Sequence, residues 1–197
     1  MKSPEQALDE FVRDSQDVQS RFFATHRTTI LEAARTLAAA FRAGNKVLLF
    51  GNGGSAADAQ HIAAEFVGRF IPERPALPAL SLAVDPSAVT AIGNDYGFDR
   101  VFARQIEAHG RKGDVAIGIS TSGNSANVLA ALGEAGSAGL HTMGFTGESG
   151  GRMPEVASVL FRVPSKRTPR IQETHILLGH VLAELADREL YPAAYGD

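Results

Sequence analysis

Apolar residues recur at spacings of three and four along the first part of the chain. Leu8, Phe11, Val12, Val18, Phe22, Phe23, Ile30, Leu31, Ala34, Leu37 and Phe41 follow one another with polar residues between them. That spacing keeps one side of a helix apolar, so residues 4–43 are expected to be helical, as one helix or two, closed by Gly44 and Asn45. The apolar face has two open readings: it packs on its own domain, or on a partner subunit. From residue 47 the pattern changes. Short apolar runs at 47–50, 79–84, 114–119, 141–145 and 158–163 read as five strands. Helical stretches at 55–70, 87–92, 99–108, from the 120–125 loop to 138, and 168–190 fall between or after them. Strands alternating with helices predict an α/β fold with a parallel sheet covered on both faces. In such a sheet ligands bind beyond the carboxyl ends of the strands. The polar loops 51–55 and 120–125 each follow a strand and open a helix, so both fall where a site is expected.

Composition narrows this picture. A chain of 197 residues with 44% hydrophobic content suits one domain (1–197) with a sizeable core. There is no cysteine, which excludes a disulfide scaffold, a thiol nucleophile and thiolate metal sites. No apolar run approaches the ~18 residues of a membrane-spanning helix, and the first residues lack the apolar stretch of a signal peptide; no membrane association and a cytoplasmic location are expected. The net charge of −3 without a basic block gives no footprint for nucleic acid.

Three groups of residues carry chemistry. Ser120, Thr121, Ser122 and Ser125 place four hydroxyls within six residues at a strand-to-helix junction. Helix N-termini present unpaired N–H groups and partial positive charge, and Gly123 lets the backbone approach closely, so the loop suits a phosphate. The plainer reading makes Ser125 an ordinary N-cap and the rest turn residues. The sequence Gly51-Asn52-Gly53-Gly54-Ser55 lacks both the third glycine of a dinucleotide fingerprint and the lysine of a P-loop. It is either a tight turn with Ser55 as N-cap or a second wall of the same pocket. His61 and Glu65, four apart on the helix that follows, share one face and could bind a metal, perform acid–base work or simply support the helix. Their apolar neighbours favour partial burial. On the last helix Gln172 and His180 lie ~12 Å apart along the axis, too far to share a metal easily on a straight helix. Periodicity alone does not find a site there.

Four motifs in order, 51–61 (GNGGSAADAQH), 91–97 (AIGNDYG), 120–125 (STSGNS) and 171–175 (IQETH), resemble the sugar isomerase (SIS) domain family over nearly the whole chain, and most closely its branch acting on sedoheptulose 7-phosphate. The resemblance implies a flavodoxin-like five-stranded parallel sheet, and a homotetramer joined through the N-terminal helical segment 4–43. It also implies conversion of sedoheptulose 7-phosphate to D-glycero-D-manno-heptose 7-phosphate. Its phosphate-holding hydroxyls fall on Ser120, Thr121, Ser122 and Ser125, with Ser55 close by. Its sugar contacts fall on Asn52, Gly53, Gly54, Asn94, Asp95 and Gln172, its zinc positions on His61, Glu65, Gln172 and His180, and its acid–base pair on Glu65 and His180. One departure is the stretch 166–170 (KRTPR), which lacks a carboxylate that some relatives turn toward the substrate. Lys166-Arg167 is also similar to a non-catalytic, replication-initiator-associating branch. That branch lacks the carboxylate and last histidine retained here as Glu65 and His180.

Overall fold

In the computed structural model, which describes residues 2–196, the first periodic stretch is a single helix. α1 (Pro4–Arg42) opens with a reciprocal cap: Ser3 Oγ accepts from the Gln6 N–H, the Gln6 side chain accepts the Ser3 N–H, and Pro4 fills the first turn. Its apolar face packs on the chain's own domain over only part of its length. Val18, Phe22, Ile30, Ala34 and Leu37 are buried against the sheet and the last helix. Leu8, Phe11 and Val12, nearer the N-terminus, stay 64%, 44% and 45% exposed.

The remaining elements are β1 (Val47–Gly51), α2 (Gly54–Val67), β2 (Ala79–Ser81), α3 (Pro86–Tyr96), α4 (Ala103–His109), β3 (Val115–Ile119), α5 (Ala126–Ser137), β4 (His141–Gly147), β5 (Val159–Val163) and α6 (Thr168–Leu190), with short 3₁₀ turns in between. All strand pairings are parallel and the order is β2-β1-β3-β4-β5, the flavodoxin-like arrangement. Every residue of β1 and β3 is buried, as a parallel sheet covered on both faces requires. Alternate residues feed two cores. Val47, Leu49, Val115 and Ile117 meet α1, α2 and α6. Leu48, Phe50 and Ala116 meet α4 and α5, with α3 packed on this second core through Val89 and Ile92.

Several boundaries differ from expectation: α4 begins only at Ala103, after a 3₁₀ turn over Phe98–Arg100, α2 ends at Val67 and β4 runs on to Gly147. β2 stops at Ser81 because the chain turns there, with Ser81 Oγ accepting from the Ala83 N–H and Asp85 capping α3 through the Ser87 and Ala88 N–H groups. α3 runs through Gly93 to Tyr96 and breaks only at Gly97 (φ 87°), so Asn94 and Asp95 sit on the last turn of a helix rather than in a loop. α2 begins at Gly54, one residue earlier than expected, with Gly53 as its N-cap; Ser55 is therefore a buried helical residue and not a cap.

Candidate active site

β1 and β3 are neighbours, but β1 leads through α2 to β2 on one side and β3 leads through α5 to β4 on the other. A crevice opens at such a switch point, and the loops at 51–55 and 120–125 line it. Gly51 lies where they meet: a Cβ there would come within 2.8 Å of the Ile119 carbonyl oxygen and of Ser55 Cβ. Asn52 and Asn127 exchange two amide hydrogen bonds of 2.9 Å each and stitch the loops together. Nothing in the sequence marks Asn127, a lone amide on an otherwise apolar helix face.

In the second loop Ser120 Oγ lies 2.9 Å from Ser125 Oγ and 3.4 Å from Ser122 Oγ. Ser125 occupies the N-cap of α5, yet its hydroxyl makes no capping bond. Capping therefore does not account for it. Hydroxyls converge instead beside the unpaired N–H groups of a helix start, a setting suited to an anion. The fold of this loop requires a glycine at Gly123, which has φ 67° and packs against the Gly150 carbonyl. A cavity of about 300 Å³ adjoins the loop, lined by Thr121, Ser122, Asn124, Gly147, Glu148, Ser149, Ser165, Lys166 and Ile171. Lys166 Nζ lies 3.3 Å from Glu148 Oε1 across its rim. Ser149, Ser165 and Glu148 carry no sequence signal, because they reach the site from loops after β4 and β5.

α2 and α6 run side by side in the same direction. Gly54 faces Gln172, Ile62 faces Gly179, and His61 faces His180. Gly179 makes this approach feasible, since a Cβ there would run into the Ile62 side chain. As a result His61 Nε2 lies 2.9 Å from His180 Nε2 and 3.2 Å from Glu65 Oε1. One atom from each of the three residues falls within 4.8 Å of the others. Ligand atoms around a tetrahedral zinc with ~2.0–2.2 Å bonds stand ~3.3–3.6 Å apart, so these two imidazoles and one carboxylate, their atoms at separations either side of that range, form a donor set that small side-chain shifts would bring to a divalent metal. The His61 side chain is 53% exposed and that of Glu65 23%, so of this pair only Glu65 meets the expectation of partial burial.

The other expected residues are placed as follows. The Gln172 amide packs on Gly54, about two helical turns from His61, and so adjoins the glycine loop. Asn94 and Asp95 are exposed, with Asn94 Nδ2 donating to Asp95 Oδ1 at 2.8 Å, and their helix packs on the opposite face of the sheet from α2 and α6. Two features beneath the site were not anticipated. Burial raises the Asp58 carboxyl above the usual carboxylate range against the opposing pull of His61, and its Oδ2 has no partner among the described residues. The buried Arg74 donates to both Asp187 oxygens (3.0 and 3.1 Å) and to the Glu65 and Phe66 carbonyls at the C-terminal end of α2 (2.8 and 2.7 Å), tying the end that carries Glu65 to α6.

The SIS domain model matches residues 10–147. A phosphoheptose isomerase from Desulfovibrio desulfuricans is 56% identical over 91% of this chain and 85% of its own. One from Aquifex aeolicus is 55% identical over 89% and 92%. Among solved structures, phosphoheptose isomerase GmhA from Neisseria gonorrhoeae superimposes with a TM-score of 0.88 at 42% identity, covering 94% of this chain and 99% of its own.

Proposed function

The chain belongs to the SIS domain family, and from that premise we propose that it interconverts sedoheptulose 7-phosphate and D-glycero-D-manno-heptose 7-phosphate, with Glu65 and His180 moving the proton. The observation that carries the assignment of these two residues is the convergence of α2 and α6, which brings Glu65, His61 and His180 to one point from positions 119 residues apart in sequence.

Aldose–ketose isomerisation needs a base to take the proton from the carbon beside the carbonyl, a donor for the carbonyl oxygen, and return of the proton to the neighbouring carbon. The partly buried Glu65 carboxylate is the base. His180 is the acid that serves the oxygens, its Nε2 oriented through the contact with His61. The hydroxyls of Ser120, Thr121, Ser122 and Ser125, with Ser55 behind them, hold the distal phosphate and fix the reacting carbons without touching them. Asn52, Gly53, Gly54 and Gln172, along the glycine loop, serve as sugar contacts; Asn94 and Asp95, expected with them, lie on the helix at the opposite face of the sheet in this chain. His61, Glu65 and His180 would hold a zinc ion, which when bound would polarise the carbonyl oxygen; Glu65 and His180 would serve as base and acid with the ion displaced, and Gln172, expected as a fourth ligand, packs instead on Gly54.

Assembly as a homotetramer through α1 belongs to the same reading, supported by the exposed Leu8, Phe11 and Val12. No helix among the described residues is long and apolar enough to cross a membrane.

The test is a coupled assay with sedoheptulose 7-phosphate. Glu65→Gln keeps shape and most hydrogen bonds while removing the base, so kcat should fall 10²–10⁴-fold with substrate still bound. His180→Gln should act similarly, and the two losses should not multiply. Near-normal turnover in Glu65→Gln would refute the assignment.

A further inference from the structure

The segment 171–175 contains a buried titratable residue that the mechanism leaves unused. His175 is completely buried on α6, with its ring 5.8 Å from that of Phe145. Its Nε2 lies 3.3 Å from the Thr146 carbonyl oxygen, and its Nδ1 has no partner among the described residues. A carbonyl can only accept, so the proton sits on Nε2, which fixes one tautomer. Burial also holds the ring neutral, with its pKa lowered to about 4 against the smaller opposing effect of the Thr146 bond.

Thr146 sits between the two strand residues that anchor the phosphate loop. Phe145 O accepts from the Ser120 N–H at 3.0 Å, and the Gly147 N–H donates to Thr121 O at 3.0 Å. The Thr146 side chain lies directly under the loop glycine: Oγ1 would be 2.8 Å from a Cβ at Gly123, and it too is buried without a partner among the described residues. His175 therefore holds the Thr146–Gly147 peptide, whose N–H makes the bond to Thr121 O, one residue on from the carbonyl that accepts from Ser120.

We infer that His175 is a positioning residue that sets the phosphate loop, so that it governs affinity for the phosphate group of the substrate and not the proton transfer. The inference rests on the proposed role of the 120–125 loop. Removing one bond of ordinary strength corresponds to roughly a factor of ten. His175→Leu should raise both KM for the phosphosugar and the inhibition constant of inorganic phosphate about tenfold, leaving kcat within about twofold. His175→Gln, whose amide can donate to the same carbonyl, should restore both to within about threefold. His175→Asn, too short to reach it, should not. A purely structural role would lower the melting temperature of all three and leave KM and the phosphate constant unchanged, which would overturn the inference.

One measurement needs no substitution. In protein labelled with ¹⁵N-histidine, the His175 Nε2–H resonance should shift on saturation with inorganic phosphate, and a resonance that stays put would also overturn the inference. If Ser122→Ala/Ser125→Ala leaves the phosphate constant unchanged, the reading of the loop itself fails. If that pair moves it and His175→Leu does not, only the inference about His175 fails.

Discussion

Ser125 shows how one hydroxyl separates two explanations. The sequence favoured anion binding over capping for this loop, and the contact with Ser120 Oγ, with no capping bond, counts against capping. Substituting Ser122 and Ser125 together by alanine should raise KM for the phosphosugar by at least tenfold, since bonds to a charged group are worth ~1.5–3 kcal/mol each. The circular dichroism spectrum should stay unchanged, and an unaltered KM would contradict the assignment. A pH effect also belongs to this scale. In the unfolded chain His175 takes up a proton near its ordinary value of 6.5, whereas in the folded chain it does so only at about 4. Between those values the unfolded state binds more protons, so stability falls as pH is lowered from 6.5 toward 4. Melting temperatures across that range should decline, and His175→Gln should flatten the decline. The sequence marks His175 only as a packed-helix histidine within the polar run 172–175, Thr146 only as the start of a glycine- and serine-rich loop, and Asn127 not at all; three-dimensional packing alone shows what they touch.

Helices α2 and α6 show where legibility ends at the scale of elements. The His61–Glu65 pair could be read from its four-residue spacing, and α6 was expected over the same residues that it occupies, 168–190. That His180 joins the pair came only from the family resemblance and not from periodicity, because the meeting depends on Gly179 lying opposite Ile62. Gly179→Ala should therefore push the helices apart. A stability loss of about 1–3 kcal/mol is expected from overpacking, together with a loss of turnover, both measurable by thermal melting and the coupled assay. Adding Ile62→Ala should recover part of each loss, and a pair of strictly additive effects would show that the two residues do not meet. The strands were legible as a set but not at their ends. The short β2 and the extension of α3 through Gly93 reflect local turn chemistry at Ser81, Asp85 and Gly97 that overrides the hydrophobic pattern.

For the whole molecule, α/β class, parallel sheet and position of the site followed from alternation alone, because ligands gather at the carboxyl edge of such sheets. The division of α1 into a buried and an exposed half did not, since both halves carry the same period. Static light scattering at micromolar concentration should give the mass of a tetramer, and Leu8→Glu/Val12→Glu should reduce it. A monomeric mass for the unaltered chain would contradict the assembly reading.

The packing of the first helix on the last has a consequence for biosynthesis. α1 emerges from the ribosome with a long apolar face whose main cover, α6, is made much later, and the proposed acid–base pair is split in the same way between α2 and α6. At ~5–20 residues per second, α1 waits for seconds before its partner exists. Contacts of such long sequence separation slow folding. The nascent chain should thus be most dependent on chaperones before residue 168 appears, and fragments truncated ahead of α6 should aggregate during translation while the full-length chain stays in solution.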